Sequence, residues 1–106
     1  MRGKHIFKEL NIKMKALTSR EIKNQLNLIP DWEYNDEFLQ RNFKFDSFKK
    51  TITFLNQVAD IAELNNHHPM LINNFNSLII QLVTHDVKGV SQKDFDLALA
   101  IDQLNL

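Results

Sequence analysis

Along the chain the apolar positions alternate between a spacing of three or four residues and a spacing of two, and each change marks a predicted element. Ile22, Leu26 and Ile29 form one helical stripe. Thr18 and Glu21 have the spacing of a capping box at its start, and Pro30 stops the helix. Trp32 to Tyr34 predicts a short strand, and the NDE that follows a turn. The segment FLQRNFKF then alternates, with Leu39, Phe43 and Phe45 on one face and Arg41 between them, so it predicts a second strand paired to the first. Asp46 or Ser47 caps a long helix whose stripe runs through Phe48, Ile52, Leu55, Val58 or Ala59, and Ala62. Phe54 and Ile61 fall off that stripe, where they either widen the core face or form a subunit contact. The helix ends at His67 or His68, because Pro69 pushes the residue before it out of the α region.

Two strand-like runs follow, MLINNF and LIIQLVT, with Asn76-Ser77 between them as a hairpin turn. Leu78, Ile80 and Leu82 share a face of the second run, and its β-branched residues favour a strand. HDVKGV reads as a loop. Ser91 and Asp94 open a last helix with Leu97, Ala98, Ile101 and Leu104 on its inner face. Two antiparallel hairpins, each beside a helix with one apolar stripe, predict an α+β two-layer sandwich in the order α-β-β-α-β-β-α. Its expected core is Trp32, Leu39, Phe43, Phe45, Phe48, Leu55, Leu78, Ile80, Leu82 and Ile101. Residues 1–17, rich in lysine and arginine, read as an N-terminal extension, and residues 18–106 as a single domain.

Composition narrows the function classes. With 13 basic and 13 acidic residues among 106, the balance argues against a nucleic-acid binder that relies on a strongly basic surface. The absence of cysteine removes disulfides and thiolate chemistry. The longest apolar runs are too short to cross a bilayer, and the N-terminus lacks the apolar stretch of a secretory signal. A soluble cytoplasmic domain with no membrane partner and no direct nucleic-acid partner is the expectation.

The candidate chemistry lies in ELNNHHPMLINNF, where His67 and His68 precede Pro69. Glu63 and His67 are four apart, which on a helix predicts contact and a carboxylate that orients the ring. The negative end of the helix dipole acts on His67 in the same sense. His68, made extended by Pro69, can face the same pocket. If Asn76-Ser77 is a two-residue turn, Phe75 pairs with Leu78 and His85 lies opposite His68, so three imidazoles converge. A turn at Asn73-Asn74 would break that register. Three histidines and a glutamate can hold zinc, but adjacent histidines seldom ligate one ion and no H-E-x-x-H spacing is present. Metal-free proton transfer, with one imidazole accepting and one donating, is the expected chemistry, with no cofactor.

Glu63, His67, His68, Pro69, Phe75, His85 and Asp94 fill, without a gap, a motif that resembles that of the pterin-4a-carbinolamine dehydratases. LTSREI, FLQRNFKFDSF and THDVKGVSQKDFDLALAID also match, so the resemblance spans about residues 17 to 104. It implies a four-stranded antiparallel sheet with three helices on one face. It also implies metal-free removal of water from a 4a-hydroxytetrahydropterin, giving the quinonoid dihydropterin recycled for aromatic amino-acid hydroxylases. By motif position His67 and His85 are the acid/base pair and His68 positions the pterin, with Asn66, Phe75 and Asp94 as further substrate-binding candidates. Capping explains Asp94 equally well. The resemblance further implies a homodimer or homotetramer, and animal relatives also act as oligomerising, coactivator-like partners. Leu71 and Asn66 depart from animal members, which carry tryptophan and aspartate there; the first change removes a stacking surface and the second a charge.

Overall fold

The computed structural model describes residues 14–104 of the 106-residue chain. Helix α1 (Ser19–Leu26) starts at Thr18, whose hydroxyl accepts from the Glu21 N–H while the Glu21 carboxylate accepts from the Thr18 N–H. This last bond holds the Glu21 carboxyl below the ordinary carboxylate range. Desolvation opposes it, and the charge of Lys15 and the Thr18 hydroxyl reinforce it. The chain continues through β1 (Glu33–Tyr34) and β2 (Leu39–Lys44) to the long helix α2 (Phe48–Asn65). Strands β3 (Met70–Asn74) and β4 (Ser77–Leu82) follow, then a 3-10 turn over His85–Val87 and helix α3 (Gln92–Asp102). The four strands form one antiparallel sheet in the order β1-β2-β4-β3.

Register explains which face is buried. Leu39 pairs with Leu82, Arg41 with Ile80 and Phe43 with Leu78, so these residues line one face of the sheet. Five of the six are apolar and buried, and they pack with Phe54, Val58, Phe95, Leu97 and Ile101 of the helices. The sixth, Arg41, is neutralised where it stands. Its guanidinium donates to Asp102 at 2.7 Å, lies 3.5 Å from Asp31 and sits 4.2 Å over the Phe43 ring. Trp32 Nε1–H donates to the same Asp102 oxygen, tying the end of α3 to the sheet.

The inner face of α2 differs from the expected stripe. Thr51, Phe54, Val58 and Ala62 are buried, whereas Phe48 is 51% exposed. Phe54 is therefore a core residue and is not available for subunit contact; it packs against Phe43 and Phe45. Ile61 packs against the core at its edge. The difference is rotational: Ser47, not Asp46, caps the helix, and the face turned to the core is centred on Phe54 and Val58 rather than led by Phe48.

Of the expected extension, residues 1–13 lie outside the described residues. Leu17 donates its N–H to the Val90 carbonyl at 2.8 Å and packs on the core. No helix among the described residues is long and apolar enough to cross a membrane.

Candidate active site

Helix α2 ends earlier than Pro69 alone requires. Asn66 adopts the left-handed conformation (φ 50°), and the His67 N–H returns to the Ala62 carbonyl at 3.1 Å. His67 thus leaves the helix, and the expected Glu63–His67 contact does not form. Glu63 pairs instead with His68, 2.6 Å between Oε2 and Nε2, on the exposed rim. An exposed pair of this kind contributes on the order of 1 kcal/mol or less.

His67 turns inward to Asp94, 2.6 Å from Nε2 to Oδ1. The Asp94 side chain is fully buried and the His67 side chain is 11% exposed. Asp94 belongs to the first turn of α3, where the Ser91 N–H donates to its Oδ2 at 2.9 Å. The Thr84 hydroxyl donates to the same oxygen at 2.7 Å. Capping and holding an imidazole are therefore joint tasks of one carboxylate.

The directions of these bonds follow from proton counting. Thr84 has one hydroxyl proton and gives it to Asp94, so the 2.7 Å contact between the Thr84 and Ser91 hydroxyls is donated by Ser91. Ser91 Oγ in turn accepts from the Lys93 N–H. Every bond in the chain points toward Asp94, as an ionised carboxylate requires. A carboxylate can only accept, so His67 Nε2 carries the hydrogen toward Asp94. With Nε2 so engaged, Nδ1 of a neutral His67 is the acceptor.

His85 arrives by a different route from the one expected. The hairpin turns at Phe75-Asn76, with Asn74 paired to Ser77, rather than at Asn76-Ser77. Phe75 takes φ 54° to make the turn, and His85 has no strand partner opposite His68. Instead Thr84 and Gly89 bridge, closing a loop whose 3-10 turn begins at His85. The three imidazoles still share one cleft of about 260 Å³, lined with Asn66, Val83, Thr84, Asp86 and Lys93. That volume sits near the small end of ligand pockets, about 300–1,000 Å³. A larger cleft of about 520 Å³ shares only Val83 and His85 with it.

Glu63 and Phe75 do not line the smaller cleft. Phe75 is 65% exposed at the hairpin tip, a strand length from the histidines, on the order of 15–20 Å. Thr84, Asp86 and Lys93 were not singled out by sequence reasoning. The Ser91 and Asp94 spacing was visible, but a partner seven residues before Ser91 has no periodic signature.

The family described as Pterin 4 alpha carbinolamine dehydratase matches residues 15–104 of this chain. A protein of Picosynechococcus sp. that bears the name "Putative pterin-4-alpha-carbinolamine dehydratase" is 44% identical over 88 residues, 83% of this chain and 96% of that one. A protein of the same name from Sulfurisphaera tokodaii is 41% identical over 91 residues, 86% of this chain and 98% of that one. A solved structure from Brucella melitensis, described as a transcriptional coactivator/pterin dehydratase, aligns with a TM-score of 0.79 at 31% identity. It covers 83% of this chain and 96% of its own.

Proposed function

This chain belongs to the pterin 4 alpha carbinolamine dehydratase family, and from that premise we propose that its three-histidine cleft dehydrates a 4a-hydroxytetrahydropterin without a metal. The observation that carries the reading is the His67–Asp94 pair at the wall of the cleft that also holds His68 and His85. In the reaction the C4a–O bond breaks, the hydroxyl leaves with an added proton as water, and N5 gives up its hydrogen as the C4a=N5 bond forms. One group must therefore donate a proton and another accept one.

His67 suits the accepting role. Its Nδ1 takes the N5 proton, and the imidazolium that results faces the Asp94 carboxylate 2.6 Å away. His85 is exposed, within reach of solvent, which suits it to donate to the departing hydroxyl. His68, held by Glu63, and Asn66 at the helix end are assigned to hold the pterin ring. Phe75 is assigned no contact with substrate bound in its own chain's cleft. The product would be the quinonoid dihydropterin, and a cytoplasmic aromatic amino-acid hydroxylase the partner reaction.

Purified protein added to a pterin-dependent hydroxylase reaction is expected to speed decay of the 4a-hydroxy intermediate, followed by ultraviolet absorbance. The acceleration should survive a chelator and fall roughly 10²–10⁴-fold in His67→Ala. Unchanged decay with the wild-type protein rejects the reading, and chelator sensitivity rejects its metal-free form. The likeness to the Brucella melitensis protein, which is described as a coactivator as well as a dehydratase, supports a second reading. That reading is a coactivator-like binding module on the same scaffold, and it predicts a folded protein without dehydratase activity.

A further inference from the structure

We propose that Thr84 is a positioning residue that sets both proton-transfer groups, and this inference rests on the dehydratase reading above. Two independent sets of bonds leave this one residue. Its side chain donates to Asp94 Oδ2, the oxygen opposite the one that holds His67. Its backbone exchanges bonds with Gly89, N–H to carbonyl at 3.0 Å and carbonyl to N–H at 3.3 Å, closing the loop that carries His85. Thr84 also accepts from the Val87 N–H, within the same 3-10 turn. It is only 5% exposed and borders the cleft, yet it has no proton to spare for a substrate.

The hydroxyl does more than fill space. A carboxylate held at one oxygen can rotate about its Cβ–Cγ bond; Asp94 is held at both. Thr84 and the Ser91 N–H fix Oδ2, and that leaves Oδ1 aimed at His67 Nε2. Ser91 donates to Thr84, so the Thr84 hydroxyl has no orientation open to it other than the one toward Asp94. The carboxylate, which can only accept, keeps the hydrogen on His67 Nε2 and leaves Nδ1 free to accept, and the chain of hydroxyls holds it in place to do so. Without the Thr84 hydroxyl, Oδ2 keeps only the Ser91 N–H, the buried carboxylate can turn about Cβ–Cγ, and a ring whose Nε2 has lost Oδ1 is free to sample its other tautomer.

Three variants separate this role from packing. Thr84→Val keeps the shape and the backbone bonds but removes the hydroxyl, Thr84→Ser keeps the hydroxyl, and Thr84→Cys supplies a weak donor. The Val variant should lower kcat roughly 10–100-fold with KM within about threefold, and the Ser variant should stay near wild type. Nitrogen-15 spectra of the histidine rings should show His67 as the Nε2–H form in wild type and Ser, and a mixture of tautomers in Val. Wild-type kcat and tautomer in the Val variant would overturn the proposal, as would a Ser variant as impaired as Val. If the Val variant does not fold, Cys decides: values between wild type and the His67→Ala loss support the role, and wild-type values reject it. A wild-type protein that shows no dehydration rejects the pterin reading alone, since the ring spectra still report on Thr84.

Discussion

At the scale of single residues, the site is a matter of which carboxylate each imidazole meets. Both adjacent histidines have a partner, but Glu63 is exchanged from the His67 that helical spacing predicts to His68, and Asp94 holds His67. The buried pair is the one on which the chemistry turns. Asp94→Asn tests it, because an amide can accept from Thr84 and Ser91 only by turning its NH2 toward His67. That arrangement forces Nε2 to accept and Nδ1 to carry the hydrogen, so the proposed base is blocked while the cleft keeps its shape. The expected result is a fall in kcat of about 10²–10⁴-fold with a folded protein, read from steady-state kinetics and a circular dichroism melt. The exchange was illegible in sequence for a definite reason. Spacing arguments hold only while the helix continues, and the left-handed Asn66 rotates His67 away one residue after the helix has ended.

At the scale of elements, most of the order of strands and helices was legible, since the three helical stripes and two capping boxes mark it plainly. The β3–β4 register was not. Asn76-Ser77 carries the residue types of a turn, whereas the chain turns at Phe75-Asn76 and puts a phenylalanine at φ 54°. An aromatic residue in the left-handed region gives no sequence signal, since that region costs an L-residue roughly 1–2 kcal/mol and favours glycine. The turn is fixed where it is by the β3–β4 pairs Asn73–Leu78 and Asn74–Ser77, with Asn73 Nδ2 donating to the Ser77 carbonyl and the Ser77 hydroxyl donating to the Asn74 carbonyl, and these bonds offset that cost. The same reasoning makes Phe75→Gly a stabilising change. The ring is 65% exposed, so little burial is lost while the backbone strain is relieved. An increase in unfolding free energy of about 1 kcal/mol, measured as a higher urea midpoint at unchanged slope, is the expected outcome.

At the scale of the whole molecule, the sheet is covered on one side and unfinished on another. Strand β3 stands at the edge of the order β1-β2-β4-β3, so one row of its backbone groups has no strand partner among the described residues. It carries neither lysine nor proline within Met70–Asn74 to discourage pairing, and Met70, Ile72 and nearby Phe75 are 59%, 42% and 65% exposed. An apolar, unguarded edge of this kind favours a second strand, and a second copy of the chain supplies one in antiparallel register about a twofold axis. The homo-oligomer expected from the family resemblance is thereby given a physical site, as a proposal. Light scattering behind a sizing column should return a multiple of the chain mass, a dimer or a tetramer. Ile72→Lys places a charge on the outer face of that edge and should move the protein toward smaller species without disturbing the core, because Ile72 points away from the buried residues Leu78 and Ile80. A wild-type protein that elutes at the mass of one chain at all concentrations refutes the proposal. An unchanged mass in the Ile72→Lys variant of an oligomeric protein would instead move the contact away from β3, to the exposed residues Phe48 and Leu64 at the two ends of α2.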